Sequence, residues 1–198
     1  MYEYIFGKLA ELYPTEAIVE SNGFGYRILI SLSTYTKLQK AGQEAVKLYL
    51  HHHLREDEES LFGFSDKAER SLFIQLISVS GVGPNTARMM LSSMTVDELS
   101  TAILTQDTNR IKSVKGIGLK TAQRVILELK DKIGKGVSDE FQFESAADGR
   151  GAEKEEAISA LVLLGFAKPA AEKAVSAVLK DNPGCTIEEL IKKALKLL

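Results

Sequence analysis

"SVSGVGPNTARMML", Ser78 to Leu91, and "SVKGIGLKTAQRVI", Ser113 to Ile126, are two copies of one pattern set 35 residues apart. In each, an apolar helix end is followed by Gly-apolar-Gly and then by a second helix with Ala four residues past the second glycine: Gly81-Val82-Gly83 with Ala87, and Gly116-Ile117-Gly118 with Ala122. A repeat at this spacing marks one small supersecondary unit used twice. The pattern predicts a helix-hairpin-helix in each copy. The glycines allow a tight turn, Val82 or Ile117 plugs the gap between the helices, and the alanine permits close approach. Such a turn presents backbone N–H groups at the start of the second helix, where unpaired donors and the helix dipole favour an anion such as a phosphate. A single Gly-x-Gly, taken alone, reads as a plain helix C-cap and turn. Two copies with matching apolar, glycine and alanine positions point instead to two grips on neighbouring phosphates, independent of base sequence.

Around the second turn stand Lys112, Lys115, Lys120, Thr121 and Arg124; the first has Pro84, Asn85 and Arg88 and is less basic. The whole chain carries a net charge of −2, so nucleic-acid binding must come from local basic surface. Candidate contacts to a DNA backbone are Gly81, Val82, Gly83 and Asn85 from the first copy, and Lys115, Gly116, Ile117, Gly118, Lys120, Thr121 and Arg124 from the second.

Upstream, from Met1 to Phe64, apolar residues mostly alternate, and Asn22-Gly23 sits between two such runs as a hairpin turn. Val46, Leu48, Leu50, His52 and Leu54 share a face of a later strand, whose tip "REDEES" leads into the returning strand "LFGF". This region is expected to be β throughout and to close into a small barrel. From Asp66 the period becomes helical, with Leu72, Leu76 and Val79 on one face and Asp97, Asp107 and Gly134 as caps or stops. "GKGVSDEFQFESAADGRGAEKEE" lacks sustained periodicity and reads as a flexible linker. After it "EEAISALVLLGF", "KPAAEKAVSAVLKD" and "TIEELIKKALKLL" predict three short amphipathic helices, with Pro169 in the first turn of the second. The expected division is a barrel at 1–64, tandem hairpins at 65–134, linker at 135–152 and a three-helix module at 153–198. The fold class is multidomain α+β.

The longest apolar runs fall far short of the roughly 20 residues a membrane helix needs, and no charged head with an apolar run opens the chain. A cytoplasmic protein is the expectation. Cys185 stands alone, which rules out an intrachain disulfide or a multi-cysteine metal site. There is no Gly-rich Lys-Ser/Thr phosphate loop for ATP, no Cys-His pair and no carboxylate cluster apart from "EDEE", so a nuclease reading would rest on those carboxylates alone. No cofactor and no metal are expected. His51 and His53 share a strand face; a metal pair and a pair of histidines at a barrel rim beside DNA are both open readings.

Taken with these motifs, the chain resembles the RuvA family along essentially its whole length. The resemblance implies an oligonucleotide-binding-type barrel, tandem helix-hairpin-helix motifs, a linker and a three-helix module of ubiquitin-associated type. It implies a non-catalytic homotetramer, or two stacked tetramers, holding four-way (Holliday) junction DNA open and planar while the hexameric ATPase RuvB drives branch migration, with a junction resolvase as a further partner. The family's Arg-Glu-Asp followed by a "GF" stretch matches Arg55-Glu56-Asp57 and "SLFGF", which implies that Glu56 and Asp57 form an acidic pin at the junction centre. Read without the resemblance, the same residues are a solvated hairpin tip. "LVLLGF" implies the dock for the motor, with Leu161, Leu164 and Phe166 as candidates, although Leu161 reads equally well as core. One departure is visible: Asn85 stands where many relatives carry Lys.

Overall fold

A computed structural model describes residues 2–42, 45–56, 59–140 and 149–198, and side chains are described within these except at 41, 134–140 and 149–152. Two compact units divide the chain at Lys135/Gly136. The first begins with strands β1 (Tyr4–Tyr13), β2 (Glu16–Ser21) and β3 (Phe24–Ile30), helix α1 (Leu32–Ala41), and strands β4 (Ala45–Leu54) and β5 (Glu59–Phe64). The strands close a barrel in the order β1-β2-β3-β5-β4, antiparallel except where Leu29 and Ile30 of β3 run parallel beside Phe62 and Gly63. Asn22 and Gly23 make the β2–β3 turn with φ of 52° and 81°, the pair of positive angles that lets a two-residue hairpin follow strand twist. Inside lie Val19, Ile28, Ile30, Val46, Leu48 and Leu50, all buried. The shared face of β4 fades along its length: His52 is half-buried and Leu54 exposed.

The stretch 1–64 is not β throughout, because α1 interrupts it. Ser31 caps this helix by accepting from the Thr34 amide at 3.0 Å, and Gly42 ends it at φ 75°. Tyr35 and Leu38, three apart, pack on the barrel core.

Helices α2 (Lys67–Ile77), α3 (Pro84–Ser93), α4 (Val96–Leu104), α5 (Thr108–Lys112) and α6 (Leu119–Glu140) follow. Leu72, Leu76 and Val79 are buried, as their spacing predicts. Asp107 caps α5, whereas α4 is capped by Thr95 in a capping box with Glu98, and Asp97 lies in its first turn. Strand β5 contributes Phe62 and Phe64 to the helical core, where both rings meet Phe73 at centroid distances of 5.1 and 4.8 Å. Gly134 does not stop α6, which continues to Glu140. One glycine costs about 1 kcal/mol in a helix interior, too little to end a helix already four turns long. The next helix begins at Gly149, so helix occupies both ends of the 135–152 stretch read as linker, and residues 141–148 lie outside the described residues.

A buried carboxylate joins barrel and helices. Glu69 of α2, 1% exposed, accepts from the hydroxyls of Ser31, Thr34 (2.8 Å) and Ser65 (3.4 Å). The Thr34 hydroxyl in turn accepts from the Ser65 amide at 3.1 Å, and Asp66 caps α2 while pairing with Lys37 at 2.6 Å. A buried carboxyl group persists only when its polar atoms are hydrogen-bonded, and here three hydroxyls from two segments bond to it. Glu69→Ala should therefore destabilise the protein by about 3 kcal/mol, more than its few lost methylenes account for, since the hydroxyls lose their acceptor. A urea midpoint matching wild type would show that the hydroxyls find other partners.

The second unit holds α7 (Gly149–Leu163), α8 (Lys168–Asp181) and α9 (Ile187–Ala194) around Ala157, Ile158, Leu161, Val175, Val178 and Leu190. Gly165, at φ 100°, ends α7 while the amides of Gly165 and Phe166 return to the carbonyls of Val162 and Leu161 at 3.0 and 3.1 Å. That pair of bonds is the glycine-terminated helix stop written in "LLGF". Among the described residues no helix is long and apolar enough to cross a membrane.

Candidate nucleic-acid interface

The two hairpins are built alike, bond for bond. Val82 and Ile117 are buried plugs whose amides donate to Val79 and Val114 at 3.0 and 3.1 Å. Ala87 and Ala122, both fully buried, donate to the carbonyls of Gly83 and Gly118 at 2.9 and 3.0 Å, closing the first turn of α3 and of α6. The first glycine of each pair is required by the backbone: Gly81 and Gly116 sit at φ of 93° and 89°, a region costly for any side chain. The second glycine is not. Gly83 has φ −85°, neither Gly83 nor Gly118 is in the positive-φ region, and a Cβ on either would meet nothing within 4 Å among the described residues beyond its own chain neighbours. The bare backbone there faces open space, and Gly83 caps α3 with no side-chain bond to the helix amides. Neither side-chain space nor backbone angle asks for glycine at these two positions, although at the Gly83 N-cap glycine is a better cap than alanine. A ligand approaching the amides would ask for it.

Around this bare backbone the sequence-predicted residues separate. Asn85, Lys115 and Lys120 are exposed beside the turns, Lys112 is exposed on α5, and Thr121 is half-buried in the first turn of α6. Val82 and Ile117, named as backbone contacts, are corrected to structural plugs, because their side chains are covered and their amides are spent inside the turn. Arg124 reaches across to the first hairpin, donating to the Ser80 carbonyl at 3.2 Å with Glu128 3.7 Å away, so it ties the hairpins together while remaining half-exposed. Arg88 belongs to the barrel junction: it donates to the Thr15 carbonyl at 2.9 Å. The sequence alone did not reveal these ties, since neither carbonyl partner carries any side-chain signal.

Glu56 is exposed two residues beyond β4, and Asp57 lies outside the described residues. Of the histidines, His52 meets Glu59 at 2.9 Å. His51 packs on Phe73 with centroids 5.4 Å apart and its ring is 6.3 Å from that of His53. Among the described residues no third ligand-type side chain joins the pair to hold a metal. The Nδ1 of His51 is buried with no hydrogen-bond partner among the described residues. Burial first, then the neighbouring His53, His52 and Arg70, holds the His51 pKa below 6.5. Below that pH the unfolded chain binds a proton that the folded one does not. Stability should thus be fully present above pH 6.5 and fall as the pH drops toward the folded value. A His51→Leu variant should lose part of that slope in melting temperature against pH, and an unchanged slope would place the proton elsewhere.

In the second unit Leu161 is fully buried, which corrects its candidacy as a partner contact. Leu164 is exposed and Phe166 half-buried against the core. Leu163, 88% exposed, was missed: in the run "LVLL" helix phase alone decides which leucine faces out.

Family models match three segments: the RuvA N-terminal domain over residues 1–63, a SAM-like helix-hairpin-helix tandem over 73–131, and the RuvA C-terminal domain over 152–198. Three curated proteins, each called Holliday junction branch migration complex subunit RuvA, align over the full length of both chains. They come from Bacteroides fragilis at 51% identity, Bacteroides thetaiotaomicron at 48% and Christiangramia forsetii at 48%.

Proposed function

The chain belongs to the RuvA family, and from that premise we propose that it recognises four-way DNA junctions without regard to base sequence, holds them open and planar, and targets the RuvB ATPase to them. The observation that carries this reading is the doubled hairpin with a glycine at Gly83 and Gly118 that neither side-chain space nor backbone angle requires. Bare amides at the start of α3 and of α6 suit backbone phosphates, and phosphates carry no sequence information. Lys115, Lys120, Thr121 and Asn85 flank them and complete the contact. The protein acts as a non-catalytic scaffold, a homotetramer or a pair of stacked tetramers, in the bacterial cytoplasm. A junction resolvase is a further partner, and the work is divided among the barrel and pin (1–64), the hairpins (65–134), a connecting stretch that is helical at both its ends (135–152) and the motor-binding module (153–198).

Competition binding tests this directly. Unlabelled four-way junction should displace a labelled junction at far lower concentration than linear duplex does at the same salt, and changing the arm sequences should leave the affinity unaltered. Equal competition by the duplex would reduce the protein to a general DNA-binding adaptor. No cleavage product should form with Mg²⁺.

Glu56 and Asp57 restrain the DNA electrostatically. Four such pins converging on the crossover repel phosphates and keep exchanging strands apart. Glu56→Gln combined with Asp57→Asn should leave junction affinity equal or raise it by roughly threefold, about 0.65 kcal/mol of screened repulsion in total over the four pins, while branch migration by the RuvB complex changes. Much weaker binding by the double variant would make the pin a structural element instead.

A further inference from the structure

The two hairpins differ in charge in a way their shared geometry does not. Lys115 and Lys120 of the second copy correspond to Ser80 and Asn85 of the first, so the first turn lacks both cations that its twin presents. The first turn has the Arg124 guanidinium at its Ser80 carbonyl, 3.7 Å from Glu128, and any further positive charge for a phosphate held there must come from elsewhere in the chain.

The barrel supplies it. A cleft of about 190 Å³ lies beside the first turn, lined on one side by Gly83, Pro84, Asn85 and Thr86 and on the other by His53, Arg55 and Phe62. His53 is near the end of β4, opposite Ser60 of β5, and half-buried. Its ring stands edge-on to Phe62 at 6.4 Å, interplanar angle 78°, and Phe62 is itself buried in the helical core, so the imidazole is held in place at the cleft wall. An imidazole has an N–H to donate in either protonation state. Arg55, exposed just past the end of β4, brings a permanent charge to the opening.

We propose that His53 is a further DNA-contacting residue: it donates to the backbone phosphate held at the first hairpin, in a cleft whose positive charge comes from Arg55. The barrel thereby does for the first hairpin what Lys115 and Lys120 do for the second. The inference rests on the reading of the hairpins as phosphate grips, and its test separates the two.

Fluorescence anisotropy of the full-length protein with a four-way junction and with a linear duplex, over a series of salt concentrations, compares wild type with His53→Val, Arg55→Gln, Lys120→Ala and the combined His53→Val/Asn85→Lys. His53→Val should raise Kd about fivefold and Arg55→Gln about tenfold on both DNAs, and Arg55→Gln should flatten the salt slope by about one phosphate contact. Restoring a cation from the other wall with Asn85→Lys should recover the affinity lost in His53→Val, and His53→Val should keep the wild-type melting temperature, which a residue serving only to support the strand would not permit. Unchanged binding by the His53 and Arg55 variants, with Lys120→Ala weakened, would overturn this assignment and leave the hairpin reading standing. Unchanged binding by all of them would remove the hairpin reading as well. A loss confined to the junction would move Arg55 to the strand crossover and overturn the cleft.

Discussion

Gly83→Ala combined with Gly118→Ala should yield a folded protein that binds four-way junctions about a hundredfold more weakly than wild type, roughly tenfold for each hairpin. Each added methyl enters open space at an ordinary backbone angle, so the stability cost is limited to exchanging one uncapped N-terminal residue for another, at most about 1 kcal/mol per site. The same methyl lies where a phosphate must approach the amides of α3 and α6. Each charge-assisted bond it lengthens is of the order of 1.5–3 kcal/mol. The neighbouring pair provides the contrast. Alanine at Gly81 and Gly116 is forced to φ near +90° and should cost about 1–2 kcal/mol of stability at each site before any DNA is added. Melting curves and junction affinities for the two double variants should therefore separate, the first pair losing affinity and the second losing stability. Normal affinity in the Gly83/Gly118 variant would mean that the bare backbone meets no phosphate.

The second large effect is a clean split on truncation. A chain ending at Lys135 should bind four-way junctions within about twofold of the full chain, well under the 1.4 kcal/mol that a tenfold change represents, and lose all stimulation of RuvB. The hydrophobic cores support this: the barrel and hairpins bury their apolar residues within the first unit, and α7, α8 and α9 bury theirs around Leu161 and Val175. Within the removed unit the partner surface is separable from the core. Replacing the exposed Leu163 and Leu164 by Asp should abolish stimulation without unfolding the module, whereas Leu161→Ala should cost about 2–5 kcal/mol of its stability as any core leucine does. Stimulation that survives the Leu163/Leu164 change would move the dock to another face.

What could be read from the chain follows from how locally each feature is encoded. The hairpins were legible because their turn, plug and close-packed alanine all fall within seven residues and recur. Helix α1 was missed because the alternation on either side continued into "SLSTYT", and its signals, a serine cap and a glycine stop, are short-range and were outweighed. The reach of α6 past Gly134 was missed because one glycine reads as a stop while costing little in a long helix. The destinations of Arg88 and Arg124 could not be read at all, since a basic residue near a DNA-binding turn carries the same letter whether it meets a phosphate or a backbone carbonyl 73 or 44 residues away. Glu69 likewise gave no sign of burial, because its hydroxyl partners lie 38, 35 and 4 residues off.

Strand β5 has an allegiance on each side of the boundary drawn between barrel and helices. Its backbone closes the barrel against β3 and β4, while Phe62 and Phe64 pack on Phe73 of α2. Severed after residue 64, the barrel would carry two large aromatic rings into water and the helices would lose the floor of their core. The first two segments matched by separate family models, 1–63 and 73–131, are thus one unit of inheritance: recombination between them breaks both halves, and a working chimaera must exchange the two together.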